Sequence, residues 1–560
     1  MGWVWLGAIV LLGACLRFWN LDYKPIWSDE VLTALFGLGR SFAAVPLNRV
    51  FSVAALDQLF TLNPATSCSQ IAQTVATESV HPPLFFCWLY QWSGLLDSFQ
   101  LSWLWKLRSL PALAGVLAIG VVYQLNRIAF SARAGLMAAA VMAVSPYALY
   151  LSQEARHYTI PLVLVGMALL GLYQLQVDIL KQRFRPLVWF GWIAVNSLGF
   201  YVHYFFLLAF MAQVGSLLVN VVSLRFLPLG APIVYPLVWR RSLLAIGLAT
   251  IGVGLTYLPW LPTLVSHLTR PETDWLELSN PGLGQFLGPL YRLPIGWILM
   301  LVALPVENQP LGIAIPAVVL MVSFISWLLW QLRARFGQLW GNPQTHLASR
   351  LLVVFVLTVL VEFLAIVYLL GKDITLVPRY NFIYFPAVCA LVGAALAQPP
   401  VSTSHRRPHP QLLVGSVLLV GFLSSLLVIW NQVFLKPYEP DRVAATLAFE
   451  PERPVLVSMA YGDLQDIALG LSFALALGHQ PSQQTRDFVF LPRLQSYTQV
   501  WQRLAALDRA PSPPLNLWVI APGLRRLDYP DTLTVAGQRC PIDRNHYDRV
   551  GVPYQLYRCD

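Results

Sequence analysis

The sequence predicts a polytopic α-helical membrane protein carrying a C-terminal extracytoplasmic α/β domain. Three observations predict it. Hydrophobic residues make up 57% of the 560 residues, Asp, Glu, Lys and Arg together only 11%, and the mean hydropathy is +0.60. A water-soluble chain of this length carries about a quarter charged residues. Apolar runs of about 20 residues, the length of a membrane span, recur as far as residue 431. From about Lys436 the runs shorten to "PVLVSMA", "LNLWVIAP" and "YQLYRC", which read as strands, and "YTQVWQRLAALDRA" reads as an amphipathic helix.

Taken in order, the candidate spans are 2–19, 108–126, 134–151, 158–178, 186–202, 204–222, 242–261, 312–332, 351–370, 380–397 and 411–431. The first run lacks a basic n-region and a small-residue cleavage site, so it is expected to be a retained span and not a signal peptide. Two further stretches, 82–97 and 285–305, are shorter or broken by Pro and Gly; they either cross or lie along the interface. The expectation is about 11–13 transmembrane helices in residues 1–435, with 20–107 as an external loop. Residues 436–560 form the soluble domain.

A net charge of +10 would suit nucleic acid, but the basic residues are placed as topology signals. With the N-terminus cytoplasmic, one set of links holds Arg127, Arg133, Lys181, Arg183, Arg185, Arg225, Arg240, Arg241, Arg333, Arg335, Arg350, Arg406 and Arg407, and no acidic residue. The opposite links hold Asp29, Glu30, Glu78, Glu154, Glu272, Asp274, Glu277 and Asp373. An odd number of spans then puts the C-terminal domain outside, where disulfides persist. Cys540 and Cys559 are its only cysteines and are expected to pair; Cys15, Cys87 and Cys389 lie in apolar segments and read as packing residues, with Cys68 in a loop. The polar stretch "QPPVSTSHRRPHPQ" reads as a cytoplasmic loop.

Unusual polar residues gather at the outer ends of the spans. "PIWSDEVLT" places Asp29 and Glu30 just beyond the first span. "ESVHPPLFF" brings His81. "SPYALYLSQEARHYT" brings Glu154, Arg156, His157 and Tyr158. "YVHYFF" brings His203, and "GKDITLVPRYNFIYFP" brings Lys372, Arg379 and Tyr380. Ionisable groups near a bilayer are costly, and a cluster of them marks function. A carboxylate beside Arg, Lys and His suits one chemistry: the carboxylate takes a proton from an acceptor hydroxyl while the cations hold a departing phosphate. A lipid-linked phosphate donor would keep its tail in the bilayer and its head group at this level.

The acidic "DE" pair in the first external loop, the "HPP" stretch, "SP…SQEAR.Y" and "PRY…P", in that order, resemble the GT-C superfamily. Within it the likeness is to the bacterial branch related to protein O-mannosyltransferases and the lipid A aminoarabinose transferase. The resemblance covers about 1–435. It implies a GT-C-like fold in a bacterial plasma membrane. It also implies a polyprenyl-phosphate sugar donor and transfer with inversion to a glycan, lipid or protein acceptor. Asp29 maps onto the base, Glu30 onto a residue that orients it or binds the acceptor, and Glu154 onto the second acidic residue. Arg156, Lys372 and Arg379, with Tyr380, would contact the donor phosphate; His81, His157, Tyr158 and His203 would contact substrate. No cofactor and no nucleic-acid partner is implied.

Each residue also has a plainer reading. Asp29 could cap the helix that starts at "EVLTALF", with Ser28 competing. Glu30 suits a first helical turn. His81 could simply precede a Pro-started helix. Glu154 and Arg156 could pair with each other. Tyr158, Tyr201 and Tyr204 could be interfacial aromatics, and Arg379 could reach for head groups. His157, His203 and Glu154 could hold a divalent metal, but their spacing matches no closed ligand set. "RPETDW" (Arg270 to Trp275) suggests no mechanism. No P-loop, GxGxxG, GxSxG or paired CxxC is present. The rival function is a transporter or flippase of lipid-linked glycans, which would favour midplane charges and inverted repeats.

Overall fold

A computed structural model describes residues 2–223, 235–278, 282–399, 410–481 and 484–560. Arg225 and most of the loop "QPPVSTSHRRPHPQ" lie outside the described residues. The helices, in chain order, are α1 (Gly2–Phe18), α2 (Ser28–Gly37), α3 (Cys68–Glu78), α4 (Leu84–Leu95), α5 (Trp103–Ala129), α6 (Ala132–Val144), α7 (Pro146–Ser152), α8 (Thr159–Leu180), α9 (Pro186–Val202) and α10 (Phe206–Ser223). They continue with α11 (Tyr235–Tyr257), α12 (Leu261–Leu268), α13 (Leu283–Leu299), α14 (Leu311–Gly341), α15 (Pro343–Leu370), α16 (Phe385–Ala397), α17 (Pro410–Ile429), α18 (Pro440–Leu447), α19 (Leu464–Gly478) and α20 (Tyr497–Ala505). The strands are β1 (Phe51–Ser52), β2 (Val455–Tyr461), β3 (Arg486–Pro492), β4 (Leu515–Ile520), β5 (Thr532–Val535), β6 (Gln538–Val550) and β7 (Val552–Cys559).

The fold is a polytopic helical membrane protein with a C-terminal sheet domain. Six described helices are long and apolar enough to cross a membrane, or seven if the bent pair α6–α7 counts as one span. The α1, α9, α10 and α16 helices are shorter and apolar. Neither α4 nor α13, the two ambiguous stretches, meets the length and hydropathy of a span; α13 carries Pro289 and Pro294 in its interior.

Two compact units divide the chain: residues 1–21, 79–85 and 108–434 form one, and 22–78, 86–107 and 435–560 form the other. The external loop that sequence reading joined to the spans thus shares its unit with the C-terminal segment.

In the first unit, α6 packs against α1, α16 and α17. Arg17 is fully buried inside this packing, where its guanidinium donates to the carbonyls of Gly13, Ala143 and Met142. The bonds to Ala143 and Met142 satisfy carbonyls that the end of α6 leaves open. The break between α6 and α7 is a bend of 59°. Ser145 and Pro146 cause it: the Ser145 hydroxyl caps α7 by accepting from Ala148 N at 3.2 Å, and Pro146 takes the first helical position.

In the second unit, seven strands form one sheet in the order β1-β3-β2-β4-β7-β6-β5. β3, β2 and β4 run parallel, and β7, β6 and β5 continue antiparallel. β1, supplied by the external loop, pairs antiparallel with the edge of β3. α19 is apolar on every side and almost wholly buried between the sheet, α18 and α2. Cys540 and Cys559 are joined as expected, across β6 and β7. Cys87 corrects the sequence reading: it is bonded to Cys68 of α3 and is not a simple packing residue.

Candidate functional site

In the first unit, three separate stretches converge on the ring of Tyr158. The first is the loop after α7. Ser152 ends the helix, and the Gln153 amide reaches the last carbonyls of α1, donating to Leu16, Arg17 and Trp19 at 2.9–3.4 Å. Trp19, one of those three, lies just past the end of α1; a tight turn follows Gln153, in which Arg156 N donates to Glu154 O at 2.7 Å. Glu154, Arg156, His157 and Tyr158 are all buried here, before α8 starts at Thr159.

The second stretch is the C-terminal cap of α9. His203 leaves the helical conformation, and its Nδ1 accepts from Phe205 N at 3.0 Å. In a neutral ring this puts the proton on Nε2. The third is the turn Pro378–Ile383, which Tyr147 clamps by donating its hydroxyl toward the carbonyls of Pro378 and Arg379 at 3.1 and 2.9 Å.

Two guanidiniums result on one aromatic ring. The Arg156 and Arg379 carbons lie 5.7 and 5.6 Å from the Tyr158 centroid, within cation–π range. The His157 ring contacts His81, His203 and Tyr158 at 4.9, 4.6 and 4.6 Å. Tyr380 contacts Tyr158 and His203 at 6.4 and 6.1 Å. His81 shares a 2.9 Å hydrogen bond with the Ser79 hydroxyl. So His81, Arg156, His157, Tyr158, His203, Arg379 and Tyr380, picked from distant parts of the sequence, form one cluster, with Glu154 in its first turn.

Burial pushes His81, His157 and His203 well below the ordinary imidazole range, and the neighbouring arginines and histidines add to the effect. All three are neutral near pH 7. The cationic groups of the cluster are therefore the two guanidiniums, with neutral imidazoles around them and the buried Glu154 carboxyl in the same turn. Such a group is suited to hold an anion with hydrogen bonds on several sides. Among the described residues no group of three or more His, Cys, Asp or Glu is placed to hold a metal ion.

Lys372 is placed differently from the cluster. Its ammonium lies 3.9 Å from Asp274 and 4.0 Å from Glu277. This gives "RPETDW" a structural use. Arg270 of the same loop donates to Ser79 O at 3.0 Å, beside His81. Sequence reading also missed the pair of Arg292 and Asp373, at 2.5 Å, and the contact of Tyr204 with His267, at 2.7 Å. Nothing in the spacing of those residues signals a pair.

Asp29 and Glu30 belong to the second unit. α2 starts at Ser28, and its N-cap is Trp27, which makes no side-chain capping bond. Asp29 is thus in the first turn and is not the cap. Glu30 is fully buried. α2 packs on α19, and the Lys436 ammonium lies 5.3 Å from the Trp27 ring centre. The Tyr438 hydroxyl is pushed up by burial and then by the charges of Asp466 and Asp29. Lys436 and Tyr438 were not singled out from sequence. Tyr438 is held in a left-handed conformation, φ 67°, and lies against Gly551, where a Cβ would meet its ring at 2.2 Å.

The family described as dolichyl-phosphate-mannose-protein mannosyltransferase matches residues 80–239. No curated protein matches the sequence. Among solved structures, the chain is similar to ArnT from Cupriavidus metallidurans bound to undecaprenyl phosphate, with 13% identity and a TM-score of 0.52 over 99% of this chain and 98% of that one. The apo state of the same protein matches with 13% identity and a TM-score of 0.53, over 99% and 97%. The oligosaccharyltransferase from Archaeoglobus fulgidus in its apo form gives 14% identity and a TM-score of 0.44, over 85% and 64%. The two ArnT structures share this chain's fold along nearly its whole length.

Proposed function

We propose that the chain, which shares the fold of the ArnT structures, is a GT-C-type membrane glycosyltransferase that transfers a sugar from a polyprenyl-phosphate donor to an acceptor. The observation that carries the reading is the cluster of two arginines on one tyrosine ring, ringed by neutral histidines. The ArnT structure similar to this chain holds undecaprenyl phosphate, a ligand of the chemistry this cluster suits.

In this reading Asp29 removes the proton from an acceptor hydroxyl or amine. The acceptor atom bonds to the anomeric carbon from the side opposite the phosphate. The anomeric carbon–oxygen bond to phosphate breaks with inversion, and the phosphate leaves with the electron pair. Arg156 and Arg379 stabilise that developing charge. Tyr380 contacts the donor phosphate beside them, His81, His157, Tyr158 and His203 position the substrate, and Glu30 and Glu154 orient reacting groups. Lys372, which sits between two carboxylates, is the weakest donor-phosphate candidate of the set. The acceptor is a glycan, lipid or protein. The chain works in a bacterial plasma membrane with its N-terminus cytoplasmic and its C-terminal domain outside.

The test is release of free polyprenyl phosphate from a panel of polyprenyl-phosphate sugars by purified protein in lipid. Release that requires an acceptor supports the transferase. Movement of intact donor between leaflets with no release supports the transporter instead.

A further inference from the structure

The end of α8 away from His157 carries a second basic site. Twenty-two residues of helix at 1.5 Å each set the two ends about 33 Å apart, the thickness of a bilayer core. At the far end the helix closes with Gln182 in a left-handed conformation, φ 53°. Arg183 N donates back to Asp178 O at 2.8 Å, and Gln182 N to Ile179 O at 3.2 Å. This paired closure fixes the direction in which the chain leaves the helix. Arg185 then folds back, and its Nε bonds Asp178 at 2.6 Å.

The turn and the start of α11 enclose a cavity of about 440 Å³, the size of a small-ligand pocket. Arg183 and Arg241 line it together with Phe184, Trp189, Leu244 and Leu248. Asp178 is the one acidic residue in the lining among the described residues, and Arg185 already neutralises it. Arg183 and Arg241 make no ion pair among the described residues. Leu244 and Leu248 are 63% and 60% exposed on the outside of the helix, continuous with the cavity. Two uncompensated guanidiniums at one end of an exposed apolar track complement a phosphate joined to acyl chains.

We propose that this cavity binds an anionic glycerophospholipid, with its phosphate between Arg183 and Arg241 and an acyl chain along Leu244 and Leu248. The site is separate from the donor cluster and does not depend on the transferase reading. Guanidinium forks match phosphate oxygens better than ammonium does, and each basic residue near a membrane surface adds to anionic-lipid affinity.

Native mass spectrometry of the full chain, titrated with phosphatidylglycerol or phosphatidylcholine of identical acyl chains, tests this. The expected result is a preference of at least about tenfold for phosphatidylglycerol, for two arginines acting together. Arg183→Gln with Arg241→Gln should abolish that preference and leave phosphatidylcholine retention unchanged. Arg183→Lys with Arg241→Lys should keep most of it. Equal retention of both lipids by the unaltered protein overturns the proposal, and so does an undiminished preference in the double Gln variant. Displacement of the lipid by glycerol phosphate at equal concentration also overturns it, because a soluble phosphate would then suffice. The comparison of the two lipids on the unaltered chain decides the matter even where the Gln variant does not fold.

Discussion

His157 has no exposed surface, and neither of its ring nitrogens has a hydrogen-bond partner among the described residues. Its pKa is held well below 6.5, first by burial and then by His203, His81 and the two arginines. Above about pH 6.5 the ring is neutral both folded and unfolded, and its titration costs nothing. Below that, the unfolded chain takes up a proton that the folded chain refuses, so stability falls as pH falls. One such histidine removes up to about 1.4 kcal/mol per pH unit. Thermal unfolding in detergent should therefore show a midpoint that drops between pH 6.5 and 5, and His157→Gln should flatten the slope. An unchanged slope in that variant would mean that the proton is taken up elsewhere. At the same cluster, Arg379→Gln should lower kcat/KM for the lipid-linked donor by roughly 10- to 100-fold, the worth of one charge-assisted hydrogen bond. Arg379→Lys should recover only part of it, since an ammonium lacks the planar fork. An Arg379→Gln variant with normal kcat/KM would take Arg379 off the donor phosphate.

The elements show which features a sequence can carry. α8, α14 and α15 were legible because a long apolar run has only one stable form in lipid. "PVLVSMA" and "LNLWVIAP" were legible as strands because they are short, apolar and β-branched. β6, "QRCPIDRNHYDRV", was missed because its exposed residues are polar; its pairing with β5 and β7 makes it a strand. β1 has two residues and exists only through its pairing with β3. The Cys68–Cys87 bond was hidden because Cys87 stands in an apolar helix, where a thiol usually packs. The polar cluster was legible as residues gathered at one membrane face, but its geometry was not, since Tyr147 and the Ser145–Pro146 break that help position it lie inside the apolar run 134–151. Two disulfides lead to a specific expectation. Non-reducing peptide mapping should find Cys68–Cys87 and Cys540–Cys559, with Cys15 and Cys389 free. Each bond closes a sequence separation of 19, so replacing Cys68 and Cys87 together with Ala should cost about 3 kcal/mol. Unchanged unfolding would show that α3 and α4 are held by packing alone.

At the scale of the molecule, the first carboxylate pair after α1 belongs with the C-terminal domain and not with the spans. Trp27 precedes, and Asp29 and Glu30 begin, a helix packed against α19, with Lys436 and Tyr438 from the start of the C-terminal segment beside them. Deleting residues 436–560 should therefore do more than remove an appendage. It would strip α2 of its packing on α19 and so open the fully buried face that carries Glu30, Val31 and Leu35. Limited proteolysis of such a truncation should cut within 22–78; a protected loop would show that α2 is held without the domain. The central claim is that Asp29 is the base of a sugar transfer from a polyprenyl phosphate. The most direct measurement is acceptor-dependent release of free polyprenyl phosphate by the purified protein in lipid, compared with that of Asp29→Asn. The account predicts release by the unaltered chain and a loss of at least about 100-fold in the variant, the lower range for one acid–base group. Equal release by both would contradict it and pass the role of base to Glu30 or Glu154.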